Sequence, residues 1–227
     1  MKRGLFIVFE GIDGAGTSTQ AERLSDHLKN TYEGLDLELT REPWDDQNIT
    51  RKIAKDKSAY SDAKLMTSLF ITDRINHSKI VIYPTISRGG IVISDRYKMS
   101  TCAYQHAQGV DLEELLKMQE NKGILTPDLT IFLDVQREVA SQRVRDRILK
   151  ENITSNIEDN LEKFERDPRF TDKVIGNYRY LVQKAQSDIN LFGKVVKIDG
   201  NSDIETVSLE VIDLLNILAM AKKYYNT

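Results

Sequence analysis

One stretch limits what this chain can fold into: Phe9-Glu10-Gly11-Ile12-Asp13-Gly14-Ala15-Gly16-Thr17-Ser18-Thr19-Gln20. Ahead of it runs Leu5-Phe6-Ile7-Val8-Phe9, an apolar run with β-branched and aromatic members, as a strand buried on both faces reads. Behind it, Ala21, Leu24 and Leu28 recur at helical spacing. Strand, glycine-rich turn and helix form the context of a P-loop, and the spacing G-x-x-x-x-G-x-S is met by Gly11, Gly16 and Ser18. Glycines let the backbone curl so that successive N–H groups point into one concavity, where phosphate oxygens sit. Ser18 then opens the helix and offers its hydroxyl to Mg²⁺. The motif asks for lysine at position 17, where this chain has Thr17, and no lysine lies between Lys2 and Lys29. On these residues alone, a glycine-rich turn in some other α/β protein stays open.

Composition narrows the class. The 227 residues suit one α/β domain or two small ones, with 40% hydrophobic and 30% charged residues as in ordinary globular proteins. A formal net charge of −3 argues against a nucleic-acid-coating protein, while leaving room for a local basic pocket. The single cysteine, Cys102, excludes an intramolecular disulfide and a cysteine zinc cluster, and reads as a small buried residue. The N-terminal apolar run stops at Glu10, too short for a signal peptide or a membrane span, so the cytoplasm is the expected location.

Along the chain, Leu35-Asp36-Leu37-Glu38-Leu39 predicts a second strand, ended by Thr40-Arg41-Glu42-Pro43-Trp44. Residues 45–60 read as polar and partly helical. Ser61 is the expected N-cap of a long helix running towards Tyr83. On that helix Met66, Phe70, Arg74 and His77 fall on one face; an aromatic ring one turn from a guanidinium can stack a planar base and bond its edge. Ile91 to Asp95 predicts a buried strand ending in a carboxylate, the pattern of the Mg²⁺-side strand in P-loop proteins. Arg96 and Tyr97 follow at its carboxyl end, where ligands bind in open α/β sheets. Helices are expected around Ser100 to Gln105 and from Asp111 to Asn121. A strand at Leu129 to Asp134 and a helix bearing Arg143, Arg145, Arg147 and Lys150 come next, with Arg143, Arg147 and Lys150 on one face. Asp167-Pro168 reads as a break, then a helix to Asp188, a strand from Lys194 to Asp199 and a terminal helix. This alternation predicts a P-loop NTPase-type, doubly wound parallel sheet of five strands flanked by helices.

Taken together, the motifs resemble the thymidylate kinase family. Phe9 to Gly16 is similar to that family's P-loop, Thr40 to Pro43 to its second motif, and Leu69-Phe70-Ile71-Thr72-Asp73-Arg74 to its thymine-contacting helix. Asp95-Arg96-Tyr97 with Ser100 and Ala103-Tyr104-Gln105 matches the DRY…S…AYQ signature, and Pro127 to Val135 the strand before the lid. The resemblance implies one nucleoside-monophosphate-kinase domain over residues 1–227, with a lid at about 136–170, that transfers the γ-phosphoryl of ATP to dTMP with Mg²⁺. It implies small-molecule substrates, a homodimer, and neither nucleic-acid nor membrane partners. By resemblance, Gly11, Ile12, Asp13, Gly14, Ala15, Gly16, Thr17, Ser18 and Thr19 cradle ATP, and Ser18 and Asp95 hold the metal. Arg74 bonds the thymine edge, Phe70 stacks on the ring, Ser100 and Gln105 lie near the base, and Tyr104 packs under the deoxyribose. Arg41 and Arg96 hold the acceptor phosphate, with Asp13 between it and the sugar. Because Gly14 occupies the position where some members carry a catalytic arginine, the lid supplies it here: Arg143 and Arg147 are the expected pair, Arg145 the third choice.

Thr17 departs from the pattern. Loss of one preorganised donor to developing charge costs about 2.7–4 kcal/mol, against the ~8–23 kcal/mol that enzymes supply in total, so a working catalyst remains the expectation. Two alternatives follow from the same residues: a nucleotide-binding protein of weak or no turnover, and a kinase of another deoxynucleoside monophosphate such as dUMP. Trp44 reads as a packing residue near the acceptor site.

Overall fold

A computed structural model describes residues 3–44, 49, 51, 58–60, 62–120, 123–150 and 164–225. Five strands form one parallel sheet: β1 (Leu5–Glu10), β2 (Leu37–Arg41), β3 (Ile91–Asp95), β4 (Leu129–Asp134) and β5 (Lys194–Asp199), in the order β2-β3-β1-β4-β5. The three middle strands are almost wholly buried and the two edges half-exposed, which is why the former read as unbroken apolar runs and β2 as alternating. β2 begins two residues later than Leu35 and reaches Arg41, because pairing to β3 sets Arg41 opposite Asp95.

Alternate β1 side chains serve different layers. Ile7 and Phe9 join a large core that includes Leu24, Ile131, Tyr178 and Val211. Phe6 and Val8 meet Ile71, Ile82, Ile86 and Tyr97. Helix α1 (Thr17–Thr31) leaves the P-loop, and α2 (Ala63–His77) continues through a π turn at Ser78–Ile82 into α3 (Tyr83–Ser87). The long helix was therefore legible, but it passes Tyr83; Ser61 and most of residues 45–57 lie outside the described residues. Next come α4 (Lys98–Ala107), α5 (Leu112–Gln119) and α6 (Arg137–Lys150), then α7 (Pro168–Ser187), the short α8 (Ile189–Phe192) and α9 (Ile204–Tyr225). Asp167-Pro168 starts α7 rather than interrupting a segment: Asp167 accepts from the N–H groups of Arg169 and Phe170, and proline suits the first helical position. Of the expected lid, residues 151–163 lie outside the described residues. No helix among the described residues is long and apolar enough to cross a membrane.

The strand order leaves β1 between β3 and β4, which the chain visits later. The crevice beyond its carboxyl end is where an open sheet binds ligands.

Candidate active site

The glycine-rich loop occupies that crevice. Gly14 and Gly16 have φ of 81° and 96°, a region that favours glycine. At Gly14 the need is also spatial, since a Cβ there would lie 2.3 Å from the carbonyl oxygen of Ala140 on α6. Helix α6 thus sits directly on the loop. Ser18, in the first turn of α1, donates to Asp95 Oδ2 at 2.5 Å. The other oxygen, Asp95 Oδ1, is buried with no hydrogen-bond partner. Thr17 is 5% exposed, its side chain packed back toward Gly11.

Two cavities meet at this loop. The larger, about 630 Å³, is lined by residues 13–20, by Arg143, Arg147 and Lys150 of α6, by Gly200 and Ser202 between β5 and α9, and by Ile204 at the start of α9. The smaller, about 150 Å³, is lined by Phe70, Arg74, Ser100, Tyr104 and Gln105 together with Glu42, Pro43 and Phe164. Asp13 and Arg96 line both. Arg96 takes a left-handed φ of 70° and bonds Asp13 Oδ1 at 2.5 Å and Ser100 Oγ at 3.3 Å. Its guanidinium lies over the Tyr104 ring, 5.5 Å from the centroid, and the Tyr104 hydroxyl donates to Asp13 Oδ2 at 3.0 Å. Burial, reinforced by Asp13, pushes the Tyr104 phenol well up, so it stays a neutral donor.

Arg74 is 1% exposed. Nε donates to Glu42 Oε2 at 2.7 Å, Nη1 to Gln119 Oε1 at 2.9 Å, and Nη2 to the Tyr97 carbonyl and Thr101 Oγ1, both at 2.9 Å. Among the described residues one Nη1 hydrogen has no acceptor. Across the cavity wall, Gln105 Oε1 is buried without a partner, its amide nitrogen donating to Gln108.

Of the residues foreseen from sequence, Asp13 to Thr19, Phe70, Arg74, Arg96, Ser100, Tyr104, Gln105, Arg143 and Arg147 line these two cavities, and Gly11, Ile12 and Asp95 do not. Arg41 is exposed at the end of β2 and lines neither cavity. Arg145 faces a further cavity between α6 and α7. Arg143, paired with Arg147 in the sequence reading, has its guanidinium on backbone carbonyls: Gly200 at 2.8 Å, Ser202 at 2.9 Å, Ala15 at 3.4 Å and Asn201 at 3.5 Å. That end of the cavity gathers the carbonyls of two loops, and an arginine's fork of donors fits them; Arg143 braces α6 against the P-loop. Arg147 is half-exposed and pairs with Glu165 at 3.1 Å.

The sequence reading missed the carboxylates behind the site. Glu10, fully buried at the end of β1, accepts from the N–H groups of Tyr97 and Met99 and from the hydroxyls of Ser100 and Tyr178. Its signal was the one used for Asp95, a carboxylate closing an apolar run. Glu42 holds Arg74 at 2.5–2.7 Å and accepts from or faces His77 Nδ1 at 3.1 Å. Trp44 stacks on His77, 5.5 Å between centroids at 10°, a packing role. Phe164, edge-on to Tyr104 at 5.0 Å, came from a polar stretch with no signal.

A five-stranded parallel sheet with a P-loop serving one cavity and a second cavity sharing two of its residues defines a P-loop nucleoside monophosphate kinase. The family model for thymidylate kinase matches residues 9–193, and the chain belongs to the thymidylate kinase family. It is 32% identical over 219 residues to a probable thymidylate kinase of Pyrococcus horikoshii, covering 94% of this chain and 96% of the relative. It is 35% identical over 208 residues to one of Staphylothermus marinus, covering 92% of each. A thymidylate kinase of Desulfotalea psychrophila is 40% identical over 146 residues, 62% of this chain and 68% of the relative.

Proposed function

We propose that this chain transfers the γ-phosphoryl of ATP to dTMP, giving dTDP and ADP, with the larger cavity holding ATP and the smaller dTMP. The observation that carries the reading is the sharing of Asp13 and Arg96 by both cavities, which puts a cation where the phosphoryl group crosses. An acceptor phosphate oxygen bonds to the γ-phosphorus as the bond to the β–γ bridging oxygen breaks. The acceptor is already an anion, so no general base is required, and the protein's task is alignment and positive charge.

The smaller cavity fits a thymine edge. Thymine offers an N–H donor beside a carbonyl acceptor, and the cavity is lined by Gln105, whose Oε1 has no partner among the described residues, and by the donor Arg74. Cytosine carries the reverse pattern and would leave both groups unpaired, at about 1–3 kcal/mol for each unsatisfied group. Phe70 supplies a stacking face, and Arg96 the phosphate contact.

Ser18 and Asp95 are hard oxygen donors, and the orphaned Asp95 Oδ1 fits a hydrated Mg²⁺. When bound, that ion neutralises charge on the donor's phosphate oxygens. The lysine that Thr17 replaces is made good from α6, by Arg147 and Lys150 on the facing wall. A second reading, nucleotide binding without useful turnover, rests on Thr17 alone.

The test is ADP release from ATP·Mg²⁺ with dTMP, dUMP, dCMP or dGMP, on wild type, Thr17→Lys and Lys150→Met. We expect turnover greatest with dTMP, and a fall of roughly 10²–10³ in kcat for Lys150→Met, the usual effect of removing a donor to developing charge. A silent wild type rescued by Thr17→Lys would establish the second reading.

A further inference from the structure

Helix α2 carries Phe70 and Arg74 to the smaller cavity, and on the same face stands His77, which does not line it. His77 follows Arg74 by three residues, close to one helical turn, so the two side chains are neighbours. It is completely buried, and both of its ring nitrogens are engaged. Nδ1 lies 3.1 Å from Glu42 Oε1, and Nε2 lies 2.9 Å from Thr40 Oγ1. A carboxylate paired with an arginine only accepts, so Nδ1 carries the hydrogen and donates. Thr40, whose hydroxyl can donate or accept, holds Nε2. The face of the ring is covered by Trp44, stacked at 10°, whose own backbone N–H is tied to Asp73 of α2 at 2.7 Å. A packing residue would need none of these polar partners.

Glu42 links His77 to the site. It is buried and lines the smaller cavity. Among the hydrogen-bond partners of Arg74 it is the one anion, and a charge-assisted bond is the strongest of such a set. Its backbone is fixed by an N–H donated to the Asp95 carbonyl at 3.0 Å. What remains free is the side chain, whose last torsion has a broad energy well. Oε2 takes Arg74 Nε, and Oε1 meets only His77 among the described residues. With Oε1 unheld, the carboxylate plane could turn, and the guanidinium bound to Oε2 would follow it. Holding both oxygens fixes the plane.

We propose that His77 is a positioning residue for the acceptor nucleotide: its Nδ1–H locks the Glu42 carboxylate, and Glu42 sets the angle at which Arg74 meets the base. This role rests on the smaller cavity holding dTMP. Thr40 at the end of β2, His77 and Arg74 on α2, and Glu42 between them then form one buried hydrogen-bonded line, its links 2.9, 3.1 and 2.7 Å long. His77 lines neither cavity and touches no substrate, so it acts through Glu42. Its loss should weaken the hold on dTMP and leave the hold on ATP as it was.

The experiment compares the full wild-type chain with His77→Phe and His77→Asn. Phenylalanine keeps a ring to stack on Trp44 but has no nitrogen. Asparagine loses the ring but puts an amide nitrogen the same number of bonds from Cα as Nδ1. Affinities for dTMP and for ATP are measured by calorimetry, and the Arg74 Nε–H signal is followed by NMR in the ligand-free chain. We expect dTMP affinity to fall about tenfold in His77→Phe, the effect of losing one hydrogen bond to a charged group, and to recover most of that loss in His77→Asn. ATP affinity should be unchanged in both. The Arg74 signal should move in His77→Phe and return towards its wild-type position in His77→Asn. A loss shared by dTMP and ATP, a His77→Asn that binds dTMP no better than His77→Phe, or an Arg74 signal that His77→Phe leaves in place overturns the proposal. A wild type that binds ATP but not dTMP removes dTMP as the occupant of the smaller cavity, and the Arg74 signal alone then decides whether His77 holds Arg74.

Discussion

At the residue scale, this protein keeps several charges in places where charge is costly, and each is held by donors or acceptors fixed in advance. Arg74 is matched by Glu42, Gln119, Thr101 and the Tyr97 carbonyl, so its guanidinium is held in one orientation at the wall of the smaller cavity. Lys98 is the exception, with neutral partners only. Its ammonium is lowered from 10.5 to about 8 on folding, so between those values the unfolded chain binds more protons than the folded one. Stability then rises with pH across that window. Cys102, raised by burial from 9.0 to about 12, pulls the other way above pH 9.0, so the difference from a variant isolates Lys98. Urea unfolding of wild type and Lys98→Met at pH 7.5 to 10.5 should show wild type gaining on the variant as the pH rises.

At the element scale, the contact that matters most is between α6 and the P-loop. Gly14 lets the backbone at Ala140 approach, and Arg143 then ties α6 to Ala15, Gly200 and Ser202. Helix α6 is therefore a wall of the larger cavity, and two cations that line it, Arg147 and Lys150, ride on α6 one and two turns beyond the brace. Gly14→Ala would put a methyl 2.3 Å from the Ala140 oxygen and force a φ of 81° on a residue with a Cβ. Strain of about 1–3 kcal/mol should lift α6 and lower kcat/KM for ATP by roughly tenfold. Affinity for dTMP, measured without ATP, should hardly change. The structure also gives a reason for glycine at position 14: any side chain there would meet the Ala140 carbonyl.

At the scale of the whole molecule, Glu10 joins three layers. It closes β1, caps the start of α4 through the N–H groups of Tyr97 and Met99, and reaches α7 through the Tyr178 hydroxyl. Ser100, bonded to Glu10 at 2.6 Å, passes this on to Arg96. Glu10→Ala would orphan the N–H groups of Tyr97 and Met99 and one of the two hydroxyls, since Ser100 and Tyr178, 2.8 Å apart, can pair with each other, at about 1–3 kcal/mol for each left unsatisfied, a large share of the ~5–15 kcal/mol that holds a domain folded. Thermal unfolding should show Glu10→Ala far less stable than Glu10→Gln, with dTMP affinity falling in the same order because Arg96 loses its support.

The chain's local patterns were enough to determine the strands, the glycine-rich loop and most of the residues that line the two cavities. Buried parallel strands must be apolar throughout, glycines must stand where the backbone curls round phosphate, and signature residues follow strand ends at short spacing. Partnership between distant residues was settled only by the tertiary structure. It set Arg143 on four carbonyls, hid Glu10 and Glu42 behind the site, and brought Phe164 from a polar stretch onto Tyr104. Which buried donor meets which acceptor depends on packing between elements far apart in the chain, and no spacing within one element records it.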